Sequence, residues 1–158
     1  MTPEQRIACL DIRLPDLLNP VGLYIHGKCT GNLLYLSGKG TVSIVGKVGK
    51  DITVTQARQA AREVGLYLLA AVRHEVGSLD RVTQVVKVNG YINATPDFAE
   101  HPAVIDGCSE LLIEVFGEAG KHVRTSVGVS SLPGNMPVEI EAVVELKSSQ
   151  SQLNNRLN

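Results

Sequence analysis

The chain has 158 residues, with 15 Lys and Arg against 16 Asp and Glu, a formal net charge of −1 and a sequence pI of about 6.4. That length suits one ordinary domain with room for a real core, and the even charge argues against a nucleic-acid or anionic-lipid binder, whose footprint is basic. Three cysteines, Cys9, Cys29 and Cys108, are odd in number and lack C-x-x-C spacing; this argues against a disulfide framework and a zinc site and leaves them as reduced structural thiols.

The opening stretch MTPEQRIACLDIRLPDLL carries charges before, within and after its apolar residues. It reads as neither a signal peptide nor a membrane span, and the expectation is a cytoplasmic protein. From Leu23 to Ile52, short apolar runs alternate with glycine-rich punctuation, which predicts two or three strands joined by tight turns. Next, Ala57, Ala60, Ala61, Val64, Leu68, Ala71 and Val72 recur at helical spacing; Thr53 and Gln56 fit a capping box and Gly77 a stop. In RVTQVVKVNGYIN the pattern becomes that of a strand, with Val82, Val86, Val88 and Ile92 on one face and Thr83, Lys87, Asn89 and Tyr91 on the other. A second helix follows, striped with Val104, Cys108, Leu111, Leu112 and Val115 and ending near Gly117.

The stretch VRTSVGVSSLPGNMPVEIEAVVEL, Val123 to Leu146, reads as a β-hairpin. One strand puts Arg124, Ser126 and Gly128 on a polar face; the other turns Val138, Ile140, Ala142, Val144 and Leu146 to the core and Glu139, Glu141 and Glu145 away from it. In this reading both polar faces lie on the same side of the sheet. The order strands, helix, strand, helix, two strands predicts an α+β fold: a single sheet with two helices on one face. The domain spans residues 1–147, and 148–158 form a polar tail. The other face carries Val85, Tyr91 and Val143 among polar groups and suits burial against another copy of the chain.

Arg124, Ser126 and Glu139 fit either an ion-paired sheet face or a site in which a guanidinium grips a carboxylate while a carboxyl group manages a water or a proton. Other motifs carry less. SGKGT at Ser37 to Thr41 lacks the spacing of a phosphate loop and reads as a turn, and the Asn93 acceptor motif lacks any secretory context. His26, His74, His101 and His122 show no metal-ligand spacing, so no metal and no organic cofactor is expected.

With those residues in place, the chain resembles the Rid family, also called YjgF-like or endoribonuclease L-PSP proteins, as a divergent subgroup. The likeness runs from about Val21 to Leu146 through GLYIHG, LYLSG, QARQAA, VVKVNGYINATPDF, VRTSVGVSSLP and VEIEAVVEL. It implies a chorismate-mutase-like fold assembled as a homotrimer with clefts between subunits. Among deaminase members it implies a carboxylate-binding role for Arg124 and Gly38, a water-handling role for Glu139 and a pocket-closing role for Tyr24. Ser126 then stands at a position that is often cysteine. The implied activity is hydrolysis of reactive enamines and imines, such as 2-aminoacrylate, to 2-oxo acids and ammonia. Two alternatives accompany it: a trimeric binding protein for small 2-oxo or amino acids, and a ribonuclease or translation inhibitor, which the scarcity of basic and aromatic residues disfavours. The expected partner is a small carboxylate-bearing metabolite, without membrane or nucleic acid. Asp106 replaces an asparagine of the deaminases, Gly128 replaces a glutamate, and Thr41 to Asp51 lacks their proline turn.

Overall fold

The structure, a computed structural model, describes residues 1–148. All but the first residue of the expected tail therefore lies outside the described residues. In chain order the regular elements are α1 (Pro3–Cys9), β1 (Gly27–Thr30), β2 (Leu33–Gly40), α2 (Val54–Val76), β3 (Val82–Asn93), α3 (His101–Phe116), β4 (Val123–Val129) and β5 (Val138–Leu146). The five strands form one sheet in the order β1-β2-β5-β3-β4, antiparallel throughout except for the parallel pair β3 and β4. This is the expected α+β architecture, a single sheet with its helices packed on one face.

The long helix starts and stops where its caps demand. The Thr53 side chain accepts from the Gln56 N–H, the Gln56 side chain accepts from the Thr53 N–H, and Gly77 closes the helix in a left-handed conformation at φ 82°. Ala57, Ala61, Val64, Leu68 and Ala71 of α2 and Val104, Cys108, Leu111 and Val115 of α3 are fully or almost fully buried with Leu34, Val88, Ile92 and Ile140 of the sheet. Each large aliphatic residue so buried contributes about 1.5–3 kcal/mol. The two helices approach closely at Gly107, where a Cβ would lie only 2.1 Å from the Arg58 carbonyl oxygen. The short α1 carries its own capping box, Thr2 with Gln5. Glu4 ties it to the fold by accepting from the Leu79 N–H at 2.8 Å and from Arg73 Nη2 at 2.5 Å.

Two sequence readings are corrected. Strands β4 and β5 do not form a hairpin: β5 is inserted between β2 and β3, and β4 lies parallel to β3 at the sheet edge. A strand that buries every second residue along its length gains most with a neighbour on each side. Strand β4, which buries none of its residues completely, suits an edge, and α3 supplies the crossover that a parallel pair requires. The second correction concerns β3. Its register with β5 shifts between Val82 and Gln84 and again between Val85 and Lys87, so Val85 enters the core at 2% exposure and Val86 does not. A β-bulge inserts one residue, and strict alternation counted across it lands on the wrong face. From residue 41 to 52 no named strand follows. Val48 instead makes single bridges to Ile52 and Ala94, and its N–H donates to the Asn93 carbonyl at 2.8 Å.

Candidate functional site

Glu139 of β5 is flanked by Gly40 of β2 and Tyr91 of β3, on the sheet face away from the helices. The register of β2 against β5 steps from Leu36 to Lys39, and in that irregularity Gly38 comes under the Glu139 side chain. A Cβ on Gly38 would meet Glu139 Oε1 at 2.5 Å, so a larger residue there would displace the carboxyl group from this position. Burial, and then the charge of Glu141, push the Glu139 carboxyl above the usual carboxylate range, against a smaller opposing effect of Lys39. Glu141 next along accepts from the Tyr91 hydroxyl at 2.9 Å and from Asn89 Nδ2 at 3.0 Å. That hydrogen bond, with burial and the two glutamates, raises the Tyr91 phenol as well.

Arg124 lies elsewhere. It pairs in register with Val88 and Ser126 with Gly90, both of which face the helices, so Arg124 and Ser126 face α3. Placing Arg124, Ser126 and Glu139 on one side of the sheet is thereby overturned: the inference rested on a hairpin, and the parallel register turns β4 over. Arg124 Nη1 donates to Asp106 Oδ1 at 2.7 Å and to Ser109 Oγ at 3.0 Å, and Nη2 donates to the Pro102 carbonyl at 3.3 Å. Asp106 also lies 3.8 Å from Arg58 Nη1, and Arg58 is paired in turn with Glu110. The Arg124 side chain retains 20% of its exposure. The Ser126 hydroxyl is buried and has no hydrogen-bonding partner among the described residues.

Tyr24 belongs to neither set. It borders an open cleft of about 790 Å³ between residues 14–27 and the end of α2, with His26, His74 and Glu75. His26 Nδ1 there lies 3.1 Å from Lys39 Nζ, and burial depresses both groups below their usual ranges. Neither Arg124, Gly38 nor Glu139 lines this cleft. Within one chain the six residues singled out from the sequence therefore fall into three places: Gly38 with Glu139, Arg124 with Asp106 and Ser126, and Tyr24 alone.

Ser109, His122 and Arg58, which complete the surroundings of Arg124, escaped the sequence reading. Their signal was spacing: Ser109 stands three residues after Asp106 on one helix, and His122 two residues before Arg124. Gly128 has a local reason. A Cβ there would lie 2.7 Å from His101 Nε2, whose ring packs edge-on against Phe98, so no larger side chain fits without moving that ring.

Residues 4–146 match the model of the YjgF/chorismate mutase-like endoribonuclease family. The chain belongs to that family. Among YjgF-like relatives, protein TCP17 of Trypanosoma cruzi is 39% identical over 145 residues, 88% of this chain and 91% of its own length. The crystal structure of Atu1372 from Agrobacterium tumefaciens, of unknown function, is 37% identical, superposes with a TM-score of 0.83 and covers 92% of each chain. A 2-iminobutanoate/2-iminopropanoate deaminase of Dermatophagoides farinae is 30% identical over 136 residues, 86% of this chain and 95% of its own. The family thus includes a relative named as a deaminase, while a solved structure from Shewanella oneidensis, 31% identical with a TM-score of 0.89 and covering 92% of this chain and 100% of its own, carries the name of an endoribonuclease. No helix among the described residues is long and apolar enough to cross a membrane.

Proposed function

We propose that the protein hydrolyses small 2-imino acids to 2-oxo acids and ammonia, in clefts formed where one copy of the chain meets another. The observation that carries this reading is the Glu139 carboxyl held over the Gly38 backbone, with its proton affinity raised by burial. Such a group can take a proton from an attacking water and return one to nitrogen. The imine carbon is already electrophilic. Water adds to it, the C=N electron pair moves to nitrogen, and the resulting carbinolamine loses ammonia as its C–O bond becomes the carbonyl of the 2-oxo acid. What this requires of the protein is position, acid–base help and a grip on the carboxylate.

Arg124 supplies that grip. Because it faces the helices while Glu139 faces away from them, the two meet only across copies, in an assembly such as the trimer typical of this family. Tyr24, remote from both sets in one chain, reaches the cleft in the same way, and Ser126 offers its unpaired hydroxyl beside Arg124. The name of the 30% identical deaminase supports the same chemistry. A second reading, a carboxylate-binding protein with little turnover, is favoured by Asp106, which occupies Arg124 Nη1 in place of a ligand.

The deciding experiment measures 2-oxo acid release from freshly generated imines of several amino acids by the wild type, Arg124→Ala and Glu139→Ala. The expected result is clear acceleration. It falls about 10- to 100-fold in Arg124→Ala, the equivalent of a charge-assisted contact of about 1.5–3 kcal/mol, and about 100-fold or more in Glu139→Ala. Tight binding of 2-oxo acids with no acceleration of any imine would establish the second reading instead.

A further inference from the structure

Between the middle of α3 and the start of β4 lies a hydrogen-bonded chain that neither reading uses. Ser109 Oγ is 3.0 Å from His122 Nε2, and His122 Nδ1 is 2.6 Å from the Gly120 carbonyl oxygen. A carbonyl only accepts, so Nδ1 carries the ring hydrogen. In the neutral imidazole Nε2 is then an acceptor, and the Ser109 hydroxyl donates to it. With its hydrogen committed, Ser109 Oγ has lone pairs left for Arg124, whose Nη1 donates to it at 3.0 Å. The other Nη1 hydrogen goes to Asp106 at 2.7 Å. Both hydrogens of that nitrogen are thus fixed, which fixes the plane of the guanidinium. Nε, which has no acceptor among the described residues, and Nη2, held only by Pro102 at 3.3 Å, keep hydrogens for a further acceptor.

We propose that His122, acting through Ser109, is a positioning residue that sets the orientation of the Arg124 guanidinium and couples its occupation by a carboxylate to uptake of a proton. The inference rests on the reading above, in which Arg124 receives the substrate carboxylate. Protonation turns His122 Nε2 from acceptor into donor. Ser109 then accepts from two cationic groups, and imidazolium and guanidinium face each other across one hydroxyl. A carboxylate arriving at Arg124 offsets part of that repulsion, so binding draws a proton onto His122, and affinity rises as the pH falls through its titration. Burial, against the opposing hydrogen bond to Gly120 and with a smaller contribution from the Arg124 charge, holds the unliganded ring below the usual histidine range.

The other charged groups nearby leave the assignment intact. Asp106 reaches His122 only through Arg124, and Glu118 and Lys121 on the same connection are exposed and paired with each other at 2.8 Å. The Cys108 thiol, pushed up to about 12 by burial, stays neutral throughout.

The test is calorimetric titration of the full chain with 2-oxobutanoate at about pH 5 and about pH 8, a span that reaches well below the ordinary histidine value because the free ring titrates below it, in buffers of different ionisation heat. Wild type, His122→Asn, Ser109→Ala and Arg124→Ala are compared. The expected result is binding severalfold tighter at the lower pH with proton uptake in the wild type, and loss of both the pH step and the uptake in His122→Asn and Ser109→Ala. Binding that needs Arg124 but keeps its pH step in the His122 and Ser109 variants would overturn the inference and leave the carboxylate reading standing. The absence of Arg124-dependent binding at either pH would overturn both.

Discussion

Glu139 and Asp106 show how one neighbour decides what a carboxylate can do. Glu139 sits over a glycine with a second glutamate beside it, and its charged form is disfavoured. Its proton affinity in the folded state is raised, so its contribution to stability is full below the ordinary carboxylate value and is lost as the pH rises through the raised folded value. Glu139→Gln should therefore melt above the wild type at pH 7, with the gap closing by about pH 4, as a thermal scan in both buffers would show. Asp106, in contrast, spends its charge on Arg124 and Arg58. Asp106→Asn keeps the shape, frees positive charge and should tighten 2-oxo acid binding about 3- to 10-fold in the same calorimeter, a fraction of a full charge-assisted contact. Both residues were legible in the sequence as chemistry. Their partners were not, because Asp106 and Arg124 are 18 positions apart and meet only through the α3 crossover.

At the scale of elements, legibility followed the strength of local signals. The ends of α2 were readable because Thr53, Gln56 and Gly77 act on the backbone within one turn, and the stripe of α3 because five apolar residues keep one period. The seven-residue α1 was too short for its period to register. Strand pairing was not readable because hairpin closure and edge insertion both join β4 to β5 through the same loop, and only the burial of β5 on a two-sided berth decides between them. The closeness of the helices at Gly107 gives the test proper to this scale. Gly107→Ala should cost about 1–3 kcal/mol by overpacking, measured as a lower urea midpoint, because neither the Arg58 carbonyl nor the helix carrying it can move aside cheaply.

For the whole molecule, the sheet face away from the helices is the unfinished part. It presents Tyr35, Tyr91, Val123, Val127 and Val143 among Lys87, Asn89, Glu139 and Glu141, an apolar fraction that suits contact with another copy. The sequence reading expected such a contact from the apolar character of this face, but wrongly counted Val85, which lies in the core, as part of it. Subunit mixing tests the shared cleft. Arg124→Ala and Glu139→Ala chains, each slowed about 10-fold or more alone, should regain activity when unfolded and refolded together at equal amounts, because random assembly leaves about a quarter of clefts with both groups intact. No recovery, in mixtures verified as assembled, would place the two groups in separate sites.

Because Arg124 and Glu139 look out from opposite sides of one sheet, that sheet works as a partition as well as a scaffold. In the proposed reaction, a chain that has folded but not yet met its neighbours would hold a carboxylate or prime a water, never both for one substrate. On this reading turnover follows the assembled population rather than the amount of protein made. In the proposed reaction, dilution below the concentration at which the chains assemble would switch the activity off.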